Sequence, residues 1–213
     1  MVLNISTFKA VIFDMGGVML TYHDCDDFVR VAFKLKNYPE LRPIMKGLDI
    51  GNISTEEMSR LVKEKVHDDD EVRAHFDRFT FEMTRKHMMP DKLFFDSLAP
   101  IQDAGLKTAL LTNNFYMKED RSLKVIVEEA DEIFDVVVES CVEGCSKPDS
   151  KIYKITLERL GVKAKECVFV DDLKENCDAA EALGMTAVLV EKGKSNEAVE
   201  QIGSLIGVTL SSA

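Results

Sequence analysis

The 213-residue chain is short of positive charge: 27 lysines and arginines face 38 aspartates and glutamates, for a net charge of -11 at pH 7. That excess repels nucleic acid and anionic membrane surfaces, so neither is expected as a partner. No apolar run approaches the length that spans a bilayer. No basic stretch followed by a long apolar segment opens the chain, so no secretory leader is expected. Paired cysteines are lacking too. The five (Cys25, Cys141, Cys145, Cys167, Cys177) are odd in number and scattered, without the paired spacing of a metal site. Cys141 and Cys145 read as reduced thiols near a strand end rather than as ligands. A cytoplasmic location is expected from this usage, and the glycosylation-like triplets Asn4-Ile5-Ser6 and Asn52-Ile53-Ser54 are then chance matches. There is no internal repeat and no low-complexity linker. With 46% hydrophobic and 31% charged residues, a chain of this length can bury one good core and a small second one. Nothing in the pattern specifies an oligomeric state.

The organising stretch is Lys9 to Leu20, KAVIFDMGGVML. Its run Ala10-Val11-Ile12-Phe13 suits a strand covered on both faces, and it ends in a single carboxylate, Asp14, followed by Gly16 and Gly17. Open α/β sheets place ligands at that edge, and the glycines allow close backbone approach. Taken alone, an aspartate before a glycine turn is ordinary turn chemistry. Three later stretches change its weight. Leu110-Leu111-Thr112-Asn113-Asn114 is a second apolar run, ending in a hydroxyl and two amides. Ser146-Lys147-Pro148-Asp149 sets a lysine just ahead of a helix. Cys167-Val168-Phe169-Val170-Asp171-Asp172 is a further strand that ends in paired carboxylates, with Asn176 and Gly184-Met185 behind it.

In this order the four stretches resemble the four motifs of the haloacid dehalogenase superfamily, and they span almost the whole chain. The FDMGGVM wording looks most like the branch containing the N-terminal phosphatase domain of soluble epoxide hydrolases and the domain fused to some acyl-CoA dehydrogenases. The resemblance implies an α/β core with a doubly wound parallel sheet and an inserted helical cap domain.

The chain's own pattern is compatible with that. After the first strand, Thr21 to Asp24 reads as a short polar crossing, and about 26 to 89 as four helices without a strand. Phe28, Val31, Ala32 and Leu35 repeat at helical spacing, as do Met58, Leu61 and Val62, and again Val72, Phe76, Phe79 and Met83. Ser54 with Glu57 makes a capping-box pattern, and Pro39 can open a short helix. From Pro90 strands and helices alternate. Helices are expected at about 91–103, 119–130, 150–160, 173–183 and 196–206, and strands at about 107–112, 134–139, 167–171 and 186–190, with a frayed tail at Ser211-Ser212-Ala213. The domains are accordingly 1–22 with 90–213 as core and 23–89 as cap. A helical excursion packed permanently on the sheet is the alternative.

The resemblance implies that Asp14 is a nucleophile forming an acyl-phosphate. It implies Mg²⁺ held by Asp14, the Gly16 carbonyl and Asp172, with Asp171 assisting through water or by holding Lys147. Lys147 would bind a phosphoryl oxygen and Asp14 together. Thr112, the amides after it and Asn113 would bind substrate, and Asn176 would brace the site. A second aspartate, usual two positions after the nucleophile, is missing here because that position is Gly16. His23 is the candidate replacement acid. The expected function is therefore a Mg²⁺-dependent phosphatase of a small phosphorylated metabolite. The alternatives are a 2-haloacid dehalogenase and a non-catalytic phosphate-ligand scaffold. Arg42, Lys46 and His87 are the candidate specificity residues of the cap.

Overall fold

The computed structural model describes residues 7–23, 30–31, 34–35, 37–78 and 81–210. The chain begins with β1 (Ala10–Phe13) and β2 (Leu20–Tyr22). A helical stretch follows: a 3-10 turn at Pro39–Leu41, α1 (Arg42–Asp49), α2 (Thr55–Lys65), α3 (Asp70–Arg78) and α4 (Phe81–Lys86). β3 (Met88–Pro90) returns the chain to α5 (Lys92–Asp103), β4 (Lys107–Thr112), α6 (Ala130–Ile133), β5 (Val136–Glu139) and α7 (Ser140–Glu143). It finishes with α8 (Ser150–Leu160), β6 (Cys167–Asp171), α9 (Lys174–Ala182), β7 (Thr186–Leu189) and α10 (Ser195–Ile206).

β1 is wholly buried because its alternate residues serve two cores. Val11 and Phe13 pack with Phe94, Ile101 and Ile202 on one face. Ala10 and Ile12 pack with Ile152, Tyr153 and Phe169 on the other. A strand between two helical layers must be apolar on both sides, which explains the unbroken run. The sheet is parallel, in the order β5-β4-β1-β6-β7. The winding reverses between β1 and β6, and at such a switch point the carboxyl ends of the strands leave a crevice. Phe13 is level with Leu110 and with Val170, so Asp14, Thr112 and Asp171 emerge at one edge.

The inserted helices have their own cluster, built on Leu41, Ile44, Leu48, Met58, Val62, Val66, Val72 and Phe76. The Ser54/Glu57 capping box is formed: Glu57 N donates to Ser54 Oγ at 3.1 Å and Ser54 N to Glu57 Oε2 at 2.7 Å. Phe28, Ala32, Phe79, the Met83 side chain, Cys25, Asp24, Asp26, the Asn4 triplet and the 211–213 tail lie outside the described residues. Among the described residues no helix is long and apolar enough to cross a membrane.

Two expectations need correction. The polar crossing at Thr21 is a strand, since β2 pairs antiparallel with β3 and Leu20 is level with Pro90. The helix expected near 119–130 does not form. There Val125 and Val127 are buried two apart, Tyr116 bridges Lys124, and Arg121 sits at a φ of 62°. The insertion takes up this loop's polar groups: Thr55 N donates to Tyr116 O at 2.8 Å, Thr55 Oγ1 to Met117 O at 2.9 Å, and Arg121 pairs with Glu57 at 2.9 Å. Bonds made across the chain have displaced those a helix would have made within it.

Candidate active site

Asp14 follows β1 directly and is buried, with its backbone N–H bonded to Val170 O at 2.8 Å. Lys147 comes from the turn before α8, whose N-terminus Asp149 caps by accepting from Lys151 N. The lysine is buried, and its Nζ donates to Asp14 Oδ1 at 2.8 Å, Asp171 Oδ2 at 2.6 Å and Leu111 O at 3.0 Å. Asp14, Asp171 and Asp172 each offer an oxygen within 4.8 Å of the others.

The adjacent aspartates are unequal. Asp171 is fully buried and already engaged: Oδ2 accepts from Lys147, Oδ1 from Leu173 N at 2.9 Å, and Asn176 Nδ2 donates to both oxygens, at 2.9 and 3.2 Å. Asp172 is only partly buried and stands over the glycine turn. A Cβ on Gly17 would lie 2.3 Å from Asp172 Oδ2, and Gly17 holds a φ of +78°. Only glycine fits there, on both counts.

Burial pushes the Asp14 carboxyl up to about 7, with Lys147 opposing and Asp171 adding to the rise. Asp172 is pushed up to about 6, first by burial and then by Asp171, again opposed by Lys147. Burial disfavours the Lys147 ammonium, yet the charges of Asp14 and Asp171 outweigh it and hold the pKa above that of an ordinary lysine. One cation is therefore too little for three carboxylates. The donors are all hard oxygens, which suits a divalent ion such as Mg²⁺.

The other candidate residues are placed as follows. Thr112 is buried, and its hydroxyl lies 3.4 Å from Asn113 O. The Asn113 side chain clips the Lys147 peptide, donating to Lys147 O at 3.0 Å and accepting from Lys147 N at 2.8 Å. Of the following amides, Asn114 N is bonded to Ser140 Oγ and Phe115 N to Asn114 Oδ1. His23 is exposed, with Nε2 3.1 Å from Thr21 Oγ1, and His87 Nδ1 lies 2.9 Å from His23 O. Both histidines thus extend the β2/β3 ribbon. Lys46 donates to Ser146 Oγ at 2.6 Å, next to Lys147, while Arg42 is exposed.

Sequence reasoning missed a buried support behind the site. Asn114 Nδ2 donates to Glu139 Oε2 at 2.8 Å and to Val125 O at 2.9 Å, and Glu139 pairs closely with Lys124. The signal was there in two polar residues, Glu139 and Ser140, ending an apolar strand. Cys141, Cys145, Cys167 and Cys177 are free and buried.

A family model described as haloacid dehalogenase-like hydrolase matches residues 8–184. Acyl-CoA dehydrogenase family member 10 of Mus musculus is 32% identical over 96% of this chain, which spans 20% of that protein. The sesquiterpene phosphatase astK of Aspergillus oryzae is 30% identical over 86% of this chain and 90% of its own length. Among solved structures, a haloacid dehalogenase family enzyme of Bacteroides thetaiotaomicron, in complex with magnesium and inorganic phosphate, has a TM-score of 0.59 at 21% identity. The alignment covers 87% of this chain and 96% of that one, a likeness of fold.

Proposed function

The chain belongs to the haloacid dehalogenase-like hydrolases, and on that premise we propose that it is a Mg²⁺-dependent phosphatase of small phosphorylated metabolites working through a phosphorylated Asp14. The observation that carries this reading is the seating of Asp14 on Lys147, beside two further carboxylates at the switch point of the sheet. Asp14, the Gly16 carbonyl and Asp172 would hold the ion. Asp171 acts through Lys147, since both of its oxygens already accept bonds. When bound, the ion offsets the charge of the phosphoryl group and of the carboxylates around it.

Lys147 orients Asp14 for attack on phosphorus and, by giving up one of its three present acceptors, can bind a phosphoryl oxygen, while the hydroxyl of Thr112 and the amide of Asn113 meet another. Asn113 serves substrate through its backbone, because its side chain fixes Lys147. In this reading 23–89 is a cap over a core of 1–22 and 90–213, and the β2/β3 ribbon is the crossing between them. The separate hydrophobic cluster of the insertion supports this, as does the bond from Lys46 to the neighbour of Lys147. The free thiols suit a cytosolic setting. The carboxylate cluster disfavours metal-free dehalogenation, whose carboxylate substrate it would repel.

The test is phosphate release from a panel of phosphorylated metabolites and p-nitrophenyl phosphate, with Mg²⁺ or EDTA, in wild type and Asp14→Asn. Rapid quench would trap the phosphoenzyme. Release that needs Mg²⁺, with covalent phosphate in wild type only, is the expected outcome. Release indifferent to EDTA or to Asp14→Asn would overturn the reading, and halide release from a 2-haloacid in EDTA would favour the dehalogenase.

A further inference from the structure

The empty side-chain position in the turn after Asp14 is occupied by another residue. A Cβ placed on Gly16 would stand 2.2 Å from Tyr22 Oη and 3.1 Å from its Cζ. A carboxylate oxygen two bonds beyond a Cβ lies about 2.4 Å from it at standard bond lengths. The Tyr22 hydroxyl therefore stands inside the volume that the carboxylate of a residue at position 16 would sweep. Gly16, unlike Gly17, is outside the left-handed region. The nearest atoms a side chain at position 16 would meet are thus those of Tyr22, whose ring would have to swing aside to admit it.

The fold delivers Tyr22 by strand alternation. The turn from Asp14 is closed by Gly17 N to Leu20 O and Leu20 N to Met15 O, both at 2.8 Å, and β2 leaves it directly. Successive side chains of a strand point to opposite faces. Thr21 and His23 share one face, bonded to each other at 3.1 Å, while Tyr22 lies on the other, over Gly16. The two glycines thus admit two oxygen-bearing groups to one turn, the phenol at Gly16 and the Asp172 carboxylate at Gly17. Tyr22 is still 46% exposed, so a ligand can reach it.

We propose that Tyr22 is a catalytic hydrogen-bond donor to the leaving oxygen of the phosphate ester. The proposal rests on the phosphatase reading above. As an Asp14 oxygen bonds to phosphorus and the ester P–O bond breaks, the electron pair of that bond passes to the leaving oxygen. The Tyr22 O–H binds this oxygen and stabilises its growing charge, and water then supplies the proton that makes it an alcohol. A phenol is a neutral donor, so it adds no fourth negative charge to a site already crowded with three.

Tyr22→Phe keeps the ring and deletes the hydroxyl. In a series of phosphate monoesters from p-nitrophenyl to simple alkyl, the variant should lose about a hundredfold or more in kcat/KM on alkyl esters and less than about tenfold on p-nitrophenyl phosphate. Its Mg²⁺ affinity by calorimetry should be unchanged. Gly16→Ala, which displaces the hydroxyl without removing it, should show the same leaving-group pattern, and the double variant should lose no more than either single one. A loss equal on all esters, no loss at all, or additive losses in the double variant would overturn the role of Tyr22 and leave the phosphatase reading standing. A wild type that releases no phosphate from any ester would overturn both.

Discussion

If Asp14 and Asp172 hold Mg²⁺ as proposed, protons compete with the ion for the same oxygens, and the pKa values of the two carboxylates set the size of the effect. Asp14 sits at about 7 and Asp172 at about 6 without a cation, and both must be ionised to bind one. At pH 7.5 about three quarters of Asp14 and nearly all of Asp172 are ionised, whereas at pH 5.5 these fall to about one in thirty and one in four. The product is a drop of about a hundredfold in apparent Mg²⁺ affinity over two pH units, roughly 3 kcal/mol. The sign for stability follows from the same values. Both folded-state pKa values lie above the unfolded 3.8. Between that value and about 7 the metal-free fold holds more protons than the unfolded chain, so these two groups make it less stable as pH rises through the window. Lys147 has the same sign but a different window, since its raised pKa gives stability that is fully present below the unfolded 10.5 and is lost only as pH rises above it. Binding of the ion by the folded state reverses the carboxylate penalty, so the Mg²⁺-induced rise in Tm should grow from pH 5.5 to 7.5. Calorimetric titration at pH 5.5, 6.5 and 7.5 gives the affinity, and thermal unfolding with and without Mg²⁺ gives the shift. Asp14→Asn serves as the control for other titrating groups. An affinity that changes less than about threefold across this range, or a metal-free wild type whose stability rises with pH as fast as that of Asp14→Asn, would refute the reasoning.

Lys147→Met removes the cation from a buried cluster and leaves its carboxylates uncompensated, which should cost about 3–5 kcal/mol at pH 8 by urea denaturation. The cost should be smaller at pH 5, where Asp14 takes up a proton, and an equal cost at both would mean that Asp14 does not change its charge between these pH values. Gly17→Ala faces a φ of +78° and a carboxylate oxygen 2.3 Å from the new Cβ. It should displace Asp172 and lower Mg²⁺ affinity about tenfold or more while the chain still folds, and unchanged affinity by calorimetry would remove Asp172 from the ion's ligands.

The parallel core was readable because its signals are local. A strand buried on both faces must be apolar throughout, so β1, β4 and β6 announce themselves, as do the polar residues that stop them, Asp14, Thr112 and Asp171. Caps are local too, and the Ser54/Glu57 pair marked the start of α2 before any packing was known. The irregular loop after β4 was not readable in this way. Its donors and acceptors are used by Thr55 and Glu57, about sixty residues earlier, and no window on the loop itself contains them.

Tertiary structure also decided what each site side chain touches. The sequence by itself put Asp14 and the Asp171-Asp172 pair at the ends of strands and Lys147 just ahead of a helix; their meeting was implied by the resemblance, and the fold brings them together. The chain's own pattern did not distinguish Asp171 from Asp172, and only the resemblance gave them different roles. That difference arises because Asn176, Leu173 N and Lys147 converge on the first and leave the second over Gly17. Nor did it show that the Asn113 side chain holds the Lys147 peptide, or that Tyr22, rather than empty space, stands beside Gly16. Strand composition is set within a few residues, but the direction of a side chain depends on register. The register of β2 is set by pairing with β3, nearly seventy residues away.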